Sequence, residues 1–299
     1  MAGKQKPTKP LIAQNRYGSA SKAVRKPPKP LRSTAPKQRN ILSRALRWLF
    51  KRCVGLVWAV IWRSALMLAL FTAAGVGYYR STLPDLSALL DVRARGSVTL
   101  LDRNNEVFAW RGEQFGQAID AQTISPHLRH AVLATEDKRF YRHFGLSPRG
   151  VLGAIRINMR EGRSALSGHG GSTITQQTAK LLCLGLPFHR TRWKSERAYE
   201  AECRESSLWR KVKEAAYALA LESRFSKDEI LTIYINRSFL GAGARGFEAA
   251  AQRYFGKSAR NVNPAEAAML AGLLVAPTRY APTNDLQRSQ NRAGVIINL

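Results

Sequence analysis

A long apolar stretch separates two very different parts of the chain. Residues 53–79 read CVGLVWAVIWRSALMLALFTAAGVGYY, with Arg63 as their only charged residue. A helix needs about 20 apolar residues to cross a bilayer, so this pattern predicts a single transmembrane anchor. A buried core helix is the alternative for the same pattern. A cleavable signal peptide does not fit, because the segment before the stretch is far too long for one.

The segment before the anchor is basic and rich in proline. Residues 1–52 contain fifteen Lys and Arg and six prolines, and the first acidic residue of the chain is Asp85. Such a segment cannot bury enough apolar surface to offset the entropy lost on ordering, so we expect residues 1–52 to form a disordered tail. The positive-inside rule then places the N-terminus in the cytoplasm and residues 80–299 outside it.

After the anchor, the pattern predicts one strand pair followed by helices. GSVTLLDRNNEVFAWRG, from Gly96, alternates as two short strands around a turn at residues 102–105. A longer helix across LWRKVKEAAYALALE carries a row of apolar residues on one side, namely Trp209, Val212, Ala216 and Leu219. Four further helices are expected to begin at capping residues, which are Ser125, Thr173, Ser226 and Asn263. The outer domain is therefore predicted to be mostly α, with a small β-hairpin near the membrane.

The formal net charge of +28 narrows the choice of partners. All 20 Asp and Glu lie after the anchor, so the outer domain is only moderately basic, which suits an anionic substrate or an anionic membrane surface. The tail alone would suit nucleic acid. The adjoining anchor already explains a basic segment at this position, so we expect no nucleic-acid partner.

Five short motifs carry the candidate chemistry, and each has an ordinary structural explanation by itself. They are EDKRFYRHFG, GGSTITQQ, RKVKE, KDEILTIYIN and GARGFEAAAQRYFGK. Glu136 and Asp137 lie beside basic residues, which fits surface ion pairing, and Arg210 with Glu214 has the ordinary i,i+4 spacing of a helix pair. Together and in this order, the motifs resemble those of glycosyltransferase family 51, the peptidoglycan glycosyltransferases that also occur in class A penicillin-binding proteins. The resemblance covers residues 86–295.

The resemblance implies a fold, an activity and a location. The fold would be an α-rich, lysozyme-like lobe with a smaller membrane-proximal part. The enzyme would polymerise lipid II into β-1,4 glycan strands, with inversion at the anomeric carbon and release of polyprenyl pyrophosphate. Its partners would be lipid II, the lipid-linked glycan chain, the bilayer and cell-wall synthesis proteins. It would lie in the bacterial inner membrane, with the catalytic domain in the periplasm.

The resemblance also assigns roles to individual residues. Glu136 would be the catalytic base, and Glu214 the second acidic catalytic residue. Glu214 would either orient nearby cations or hold a divalent ion, Mg²⁺ or Mn²⁺, and the sequence leaves both roles open. Tyr234 and Asn236 match a motif that is chiefly architectural. The positions that would bind substrate or shape the cleft are Asp137, Phe140, His143, Ser172, Thr173, Gln176, Gln177, Lys180, Arg210 and Lys211.

The expected reaction needs residues of these types. A sugar hydroxyl is a poor nucleophile near neutral pH, so a positioned carboxylate that accepts its proton accelerates attack. The pyrophosphate leaving group gains negative charge in the transition state, so cations should hold it. Lys180, Arg210 and Lys211 are suited to this task, since arginine can grip phosphate oxygens in pairs.

Residues 181–208 form a longer segment than the resemblance predicts. Cys183 and Cys203 bracket most of it and would face an oxidising compartment, so we predict a disulfide between them, with Cys53 left free. The segment is expected to flank the substrate channel.

Two other classes of function remain as alternatives. A lytic or hydrolytic muramidase would use a similar lobe but needs no cations for pyrophosphate, and a catalytically inactive membrane scaffold would not need Glu136. A penicillin-binding transpeptidase is not expected within these residues, because KTG is absent and the only SxxK, Ser19 to Lys22, lies in the tail.

Overall fold

The computed structural model describes residues 41–90, 98–104, 107–111, 114–164, 171–205 and 207–299. The described residues divide into two units at the boundary between residues 59 and 60. Most of the predicted tail, residues 1–40, lies outside the described residues. We call residues 83–299 the lobe.

The first helix, α1 (Ile41–Thr82), contains the predicted anchor. From Arg44 to Thr82 it is long and apolar enough to cross a membrane, and its most apolar stretch of 18 residues has a mean hydropathy of 1.9. It begins at Ile41, so residues 41–52 are helical and the expectation of disorder was wrong for them. The reason is local: ILSRALRWLFKR lacks proline and consists mainly of residues that favour helix.

The lobe is mostly helical in the part that the structure describes. Its helices are α2 (Leu86–Leu90), α3 (Pro126–Glu136), α4 (Pro148–Arg160), α5 (Ile174–Leu181), α6 (Glu196–Arg204), α7 (Leu208–Arg224), α8 (Lys227–Arg237), α9 (Phe247–Phe255), α10 (Pro264–Leu273), α11 (Pro277–Tyr280) and α12 (Leu286–Ile297). Two 3-10 turns cover Phe140–Arg142 and Cys183–Gly185. This confirms the predicted mostly α fold.

Two small sheets accompany the helices. Strands β1 (Val98–Leu101) and β2 (Val107–Arg111) form the predicted antiparallel hairpin. At its turn, the backbone N–H of Asn104 donates to the carboxylate of Asp102 at 2.8 Å, as is typical of an Asx turn. The second sheet, a parallel pair of β3 (Gln114–Phe115) and β4 (Ala244–Arg245), was not predicted.

The core of the lobe is built around α8 and α10. Residues 230–236 of α8 are all buried, and α5 packs against both α7 and α8, while α10 packs against α3 and α12. Complete capping boxes begin α5, α8 and α10, as predicted from Thr173, Ser226 and Asn263. Ser125 precedes α3 as expected, but its hydroxyl donates to the carbonyl of Val262 instead of capping the helix.

The buried face of α7 is not the one that its apolar row predicted. Trp209 and Val212 are exposed, whereas Tyr217 and Leu221 are buried in the core. One member of the predicted row, Ala216, faces α1, because a Cβ atom added to Gly75 would lie 3.7 Å from the Cβ of Ala216.

The C-terminal end of α1 runs alongside α7 in the same direction. The rings of Tyr79 and Tyr217 meet edge to face with centroids 5.1 Å apart. Nearer the C-terminal end of α7, the guanidinium of Arg80 donates to the carbonyl of Ser223. This end of the anchor helix is therefore part of the packed lobe.

Candidate active site

Glu136 lies at the C-terminal end of α3, where it is largely enclosed by protein. Its carboxylate accepts a hydrogen bond of 2.8 Å from the side-chain amide of Gln177 on α5. Burial raises the pKa of Glu136 above its ordinary value, while the hydrogen bond from Gln177 and the charge of Arg292 act in the opposite direction. A carboxylate in such surroundings is a stronger base than an exposed one.

Asp137 links the first motif to the start of α5. Its carboxylate accepts from the backbone N–H of Ile174 at 3.2 Å and lies 2.9 Å from Nε2 of His143. The hydroxyl of Thr173 donates to the carbonyl of Gly145, which has a φ of 72° in the left-handed region that favours glycine. These contacts fix the end of α3 against the N-terminus of α5, and thereby Glu136 against Gln177.

A group of cations surrounds the second acid, Glu214, on α7. Both carboxylate oxygens of Glu214 are engaged, one by Arg210 at 2.7 Å and the other by Lys211 at 2.5 Å. Lys211 also donates to the hydroxyl of Ser172 at 3.2 Å. Burial lowers the pKa of Lys180, and the neighbouring charge of Arg210 lowers it further. We call Lys180, Arg210 and Lys211 the cation group.

A cavity of about 380 Å³, the main cavity, brings several of the predicted residues together. Its lining includes Ser172, Gln177, Lys180, Lys211, Glu214 and Tyr234. The hydroxyl of Tyr234 donates to the carbonyl oxygen of Gln177 at 3.2 Å, so the amide that holds Glu136 is itself held. Arg210 instead lines a second cavity of about 190 Å³ beside it.

Some residues predicted to bind substrate are buried away from this cavity. Phe140 and Thr173 are about 1% exposed, and Gln176 completes the capping box of α5. Their side chains hold the elements that carry Glu136 and Gln177, and a part for Phe140 and Thr173 in substrate binding stays a prediction. Asn236 is architectural as predicted, since its side chain bonds to the backbone of Ile119.

Comparison with known proteins agrees with this geometry. The family model described as transglycosylase matches residues 104–299. Penicillin-binding protein 1A of Escherichia coli is 34% identical over 221 residues, which are 74% of this chain and 24% of that protein. Penicillin-binding proteins 1A of Aquifex aeolicus and Neisseria gonorrhoeae are 36% and 38% identical, over 72% of this chain and 27% and 24% of their own lengths.

The chain belongs to the transglycosylase family. This confirms the predicted membership of the peptidoglycan glycosyltransferases. The chain spans about a quarter of the length of these penicillin-binding relatives.

The sequence of this transglycosylase did not reveal every residue near the site. Arg292 on α12 acts electrostatically on Glu136, although 155 residues separate them. Tyr199, Glu200 and Arg204 of α6 line the main cavity. No local pattern marks Arg292 as a site residue. The position of the longer segment in the sequence, together with Cys183 and Cys203, indicated that it flanks the cleft, but not which of its residues line the cavity.

A divalent metal does not fit the surroundings of Glu214 in this transglycosylase. Both of its oxygens already accept from cationic side chains. Among the residues that the structure describes, no group of three His, Cys, Asp or Glu could hold a metal ion. The use of Mg²⁺ or Mn²⁺ in the reaction stays a prediction, and Glu214 is better explained as the counter-ion that orients the cation group.

Proposed function

We propose that this protein polymerises lipid II into β-1,4-linked glycan strands and releases polyprenyl pyrophosphate. One observation carries the proposal: Gln177 joins a buried carboxylate, Glu136, to a cavity whose wall holds Lys180 and Lys211. This reaction requires a base and an anion-binding surface, and Gln177 connects the two.

Glu136 serves as the general base. It accepts the proton of the attacking sugar 4-hydroxyl while that oxygen forms a bond to the anomeric carbon of the donor. The bond from the anomeric carbon to the pyrophosphate oxygen breaks on the opposite face. A single displacement of this kind inverts the anomeric centre, so an α-linked donor gives a β-linked product.

The cation group stabilises the leaving pyrophosphate. Burial and the repulsion between neighbouring positive charges raise the free energy of the charged form of Lys180, as its lowered pKa indicates. Glu214 offsets only part of this charge. A bound pyrophosphate supplies the remaining negative charge, and this requirement favours a polymerase over a muramidase, whose leaving group carries no phosphate.

The direct test is polymerisation of lipid II by the full chain in detergent. Glu136→Gln preserves the hydrogen bond from Gln177 but cannot accept a proton, so we expect it to lower the rate about 10²–10⁴-fold. Glu161→Gln, which changes an exposed carboxylate at the end of α4, is the matched control and should retain wild-type activity. Substantial polymer from Glu136→Gln would reject Glu136 as the base. Absence of polymer from folded wild-type protein would reject the proposed activity.

We also propose that the N-terminus is cytoplasmic and that the lobe lies in the periplasm. The basic residues before the anchor support this orientation. A reporter enzyme that is active only outside the cytoplasm should be active when fused after Leu299 and inactive when fused before Met1. The reverse pattern would contradict the proposed topology.

A further inference from the structure

The longer segment, residues 181–208, which we call the insert, forms part of the wall of the main cavity. Its helix α6 contributes Tyr199, Glu200, Cys203 and Arg204 to the lining. These residues face the same space as Lys180, Lys211 and Glu214. The insert is thus part of the cleft, whereas the roles assigned to the site so far use none of its side chains.

The insert has its own small core, which keeps α6 in place. A disulfide joins Cys183 to Cys203, with their Cα atoms 5.1 Å apart, as the sequence predicted. Trp193 and Tyr199 are buried beside it, and their rings meet edge to face. The hydroxyl of Tyr199 donates to the carbonyl of Leu186.

An ion pair with the lobe anchors the other side of α6. Glu200 accepts from Arg245 of β4 at 2.6 Å, and only 4% of the Arg245 side chain is exposed. A buried guanidinium without its carboxylate is costly, so this pair strongly favours the docked position of α6. The second oxygen of Glu200 lies 3.3 Å from the guanidinium of Arg204, one helical turn further along.

The docked position of α6 places the positive charge of Arg204 beside the three residues of the cation group. Arg204 lines the main cavity, its side chain is about half exposed, and its charge is one of those that lower the pKa of Lys180. A guanidinium that is partly open to the cavity and held from one side by Glu200 can still donate to an anion.

We infer that Arg204 is a substrate-binding residue, supplied by the insert, which contacts the pyrophosphate of the lipid-linked substrate. The disulfide and the pair between Glu200 and Arg245 position it. The inference rests on the proposed polymerase function, and it adds a residue that none of the five motifs contains.

Steady-state polymerisation in detergent, without anionic lipid, tests the role of Arg204. Arg204→Gln should raise the KM for lipid II about tenfold, the effect of losing one charge-assisted hydrogen bond, with kcat within about twofold of wild type. Arg204→Lys should restore most of the affinity. Arg190→Gln is the matched control, since it removes an exposed arginine of the insert that does not line the cavity.

Binding measurements separate this inference from the proposed activity. In the Glu136→Gln background, adding Arg204→Gln should weaken binding of polyprenyl pyrophosphate in detergent micelles by the same factor, and binding of polyprenol should not change. Equal KM values for Arg204→Gln and Arg190→Gln, in an active wild type, would overturn the role of Arg204 and leave the polymerase function standing. A fall in kcat without a change in KM would also overturn it. An inactive wild type rejects the polymerase function instead.

The positioning role of the disulfide has its own test. Reduction of the disulfide, or the double substitution Cys183→Ser and Cys203→Ser, should raise the KM for lipid II towards the value of Arg204→Gln. Loss of the disulfide should have little further effect on the KM of the Arg204→Gln variant itself. If loss of the disulfide raised KM by the same factor in the wild type and in Arg204→Gln, the disulfide would not act through Arg204.

Discussion

At the scale of single residues, the two acids of the site differ in their partners. Glu136 is held by the neutral amide of Gln177, whereas Glu214 is held by two cations. The carboxylate of Glu136 is buried and bonded to a neutral amide, so uptake of a proton is favoured. The negative charge of Glu214 balances the charges of Arg210 and Lys211. This difference supports the proposed roles of Glu136 as base and Glu214 as counter-ion.

The raised pKa of Glu136 sets the acid limit of the activity. A base must be ionised, so polymerisation should fall as the pH drops through this pKa, at a higher pH than for an ordinary carboxyl group. Gln177→Leu removes a hydrogen bond that lowers the pKa, so the acid limb of kcat should move to still higher pH. A kcat–pH profile for both proteins provides the measurement, and an unchanged limb in Gln177→Leu would contradict the assignment.

Replacing each of the two acids with neutral glutamine should affect thermal stability differently. A carboxyl group whose pKa is raised by folding contributes stability below its unfolded pKa and loses it as the pH rises through the folded pKa. At pH 7.5, Glu136→Gln should therefore leave thermal stability unchanged or higher. Glu214→Gln leaves Arg210 and Lys211 without their counter-ion and should cost about 3 kcal/mol. Thermal unfolding of both variants is decisive, and the reverse order would contradict the role of Glu214.

At the scale of secondary-structure elements, the insert depends on a covalent link more than the other helices do. Its helix α6 is capped by Ser195 and carries Cys203 in its last turn, and the disulfide joins Cys203 to Cys183, 20 positions earlier in the chain. The helices of the central core are held by many buried side chains. The insert has only a small cluster of its own.

Removal of the disulfide should destabilise the insert before the rest of the lobe. Cys183→Ser with Cys203→Ser should cost roughly 3 kcal/mol by the chain-entropy relation. Hydrogen exchange should then increase in residues 186–204 and remain slow in α8. Denatured, unreduced wild-type protein should show one free thiol, from Cys53, and three thiols would disprove the disulfide.

The elements that the sequence predicted well are those set by neighbouring residues. Thr173 with Gln176, and Ser226 with Glu229, form their capping boxes within one helical turn. The turn at Asp102 is equally local. The ion pair of Arg245 with Glu200 and the electrostatic effect of Arg292 on Glu136 were missed, because each involves residues far apart in the chain and no local sequence pattern indicates them. Glu136 itself could be assigned only through the resemblance of whole motifs.

At the scale of the whole molecule, the end of the anchor helix is built into the lobe. The guanidinium of Arg224 donates to the carbonyl of Leu83 and to the carboxylate of Asp85, just after α1 ends. With the contacts of Tyr79 and Arg80, these bonds join residues 75–85 to α7 in one packed junction.

Two glycines of α1 allow a matched test of this junction. Gly75→Leu introduces a side chain against Ala216 and should destabilise the lobe by about 1–3 kcal/mol, as overpacking does. Gly77→Leu should have little effect, because a Cβ atom at Gly77 would meet no atom within 4 Å. Thermal unfolding in one detergent compares the two, and equal stability would show that α1 and α7 do not pack in solution.

The parallel course of α1 and α7 has a consequence for how substrate arrives. Arg210 and Lys211 lie in the first turn of α7, about 20 Å before Ser223 at a rise of 1.5 Å per residue. They therefore lie on the side where α1 continues towards residues 60–74, in the apolar part of the anchor. For the proposed polymerase, a lipid-linked sugar would reach them by lateral diffusion while its hydrocarbon tail stays dissolved in the bilayer. Capture then avoids the extraction of that tail, which would cost about 0.8 kcal/mol for each CH₂ group exposed to water.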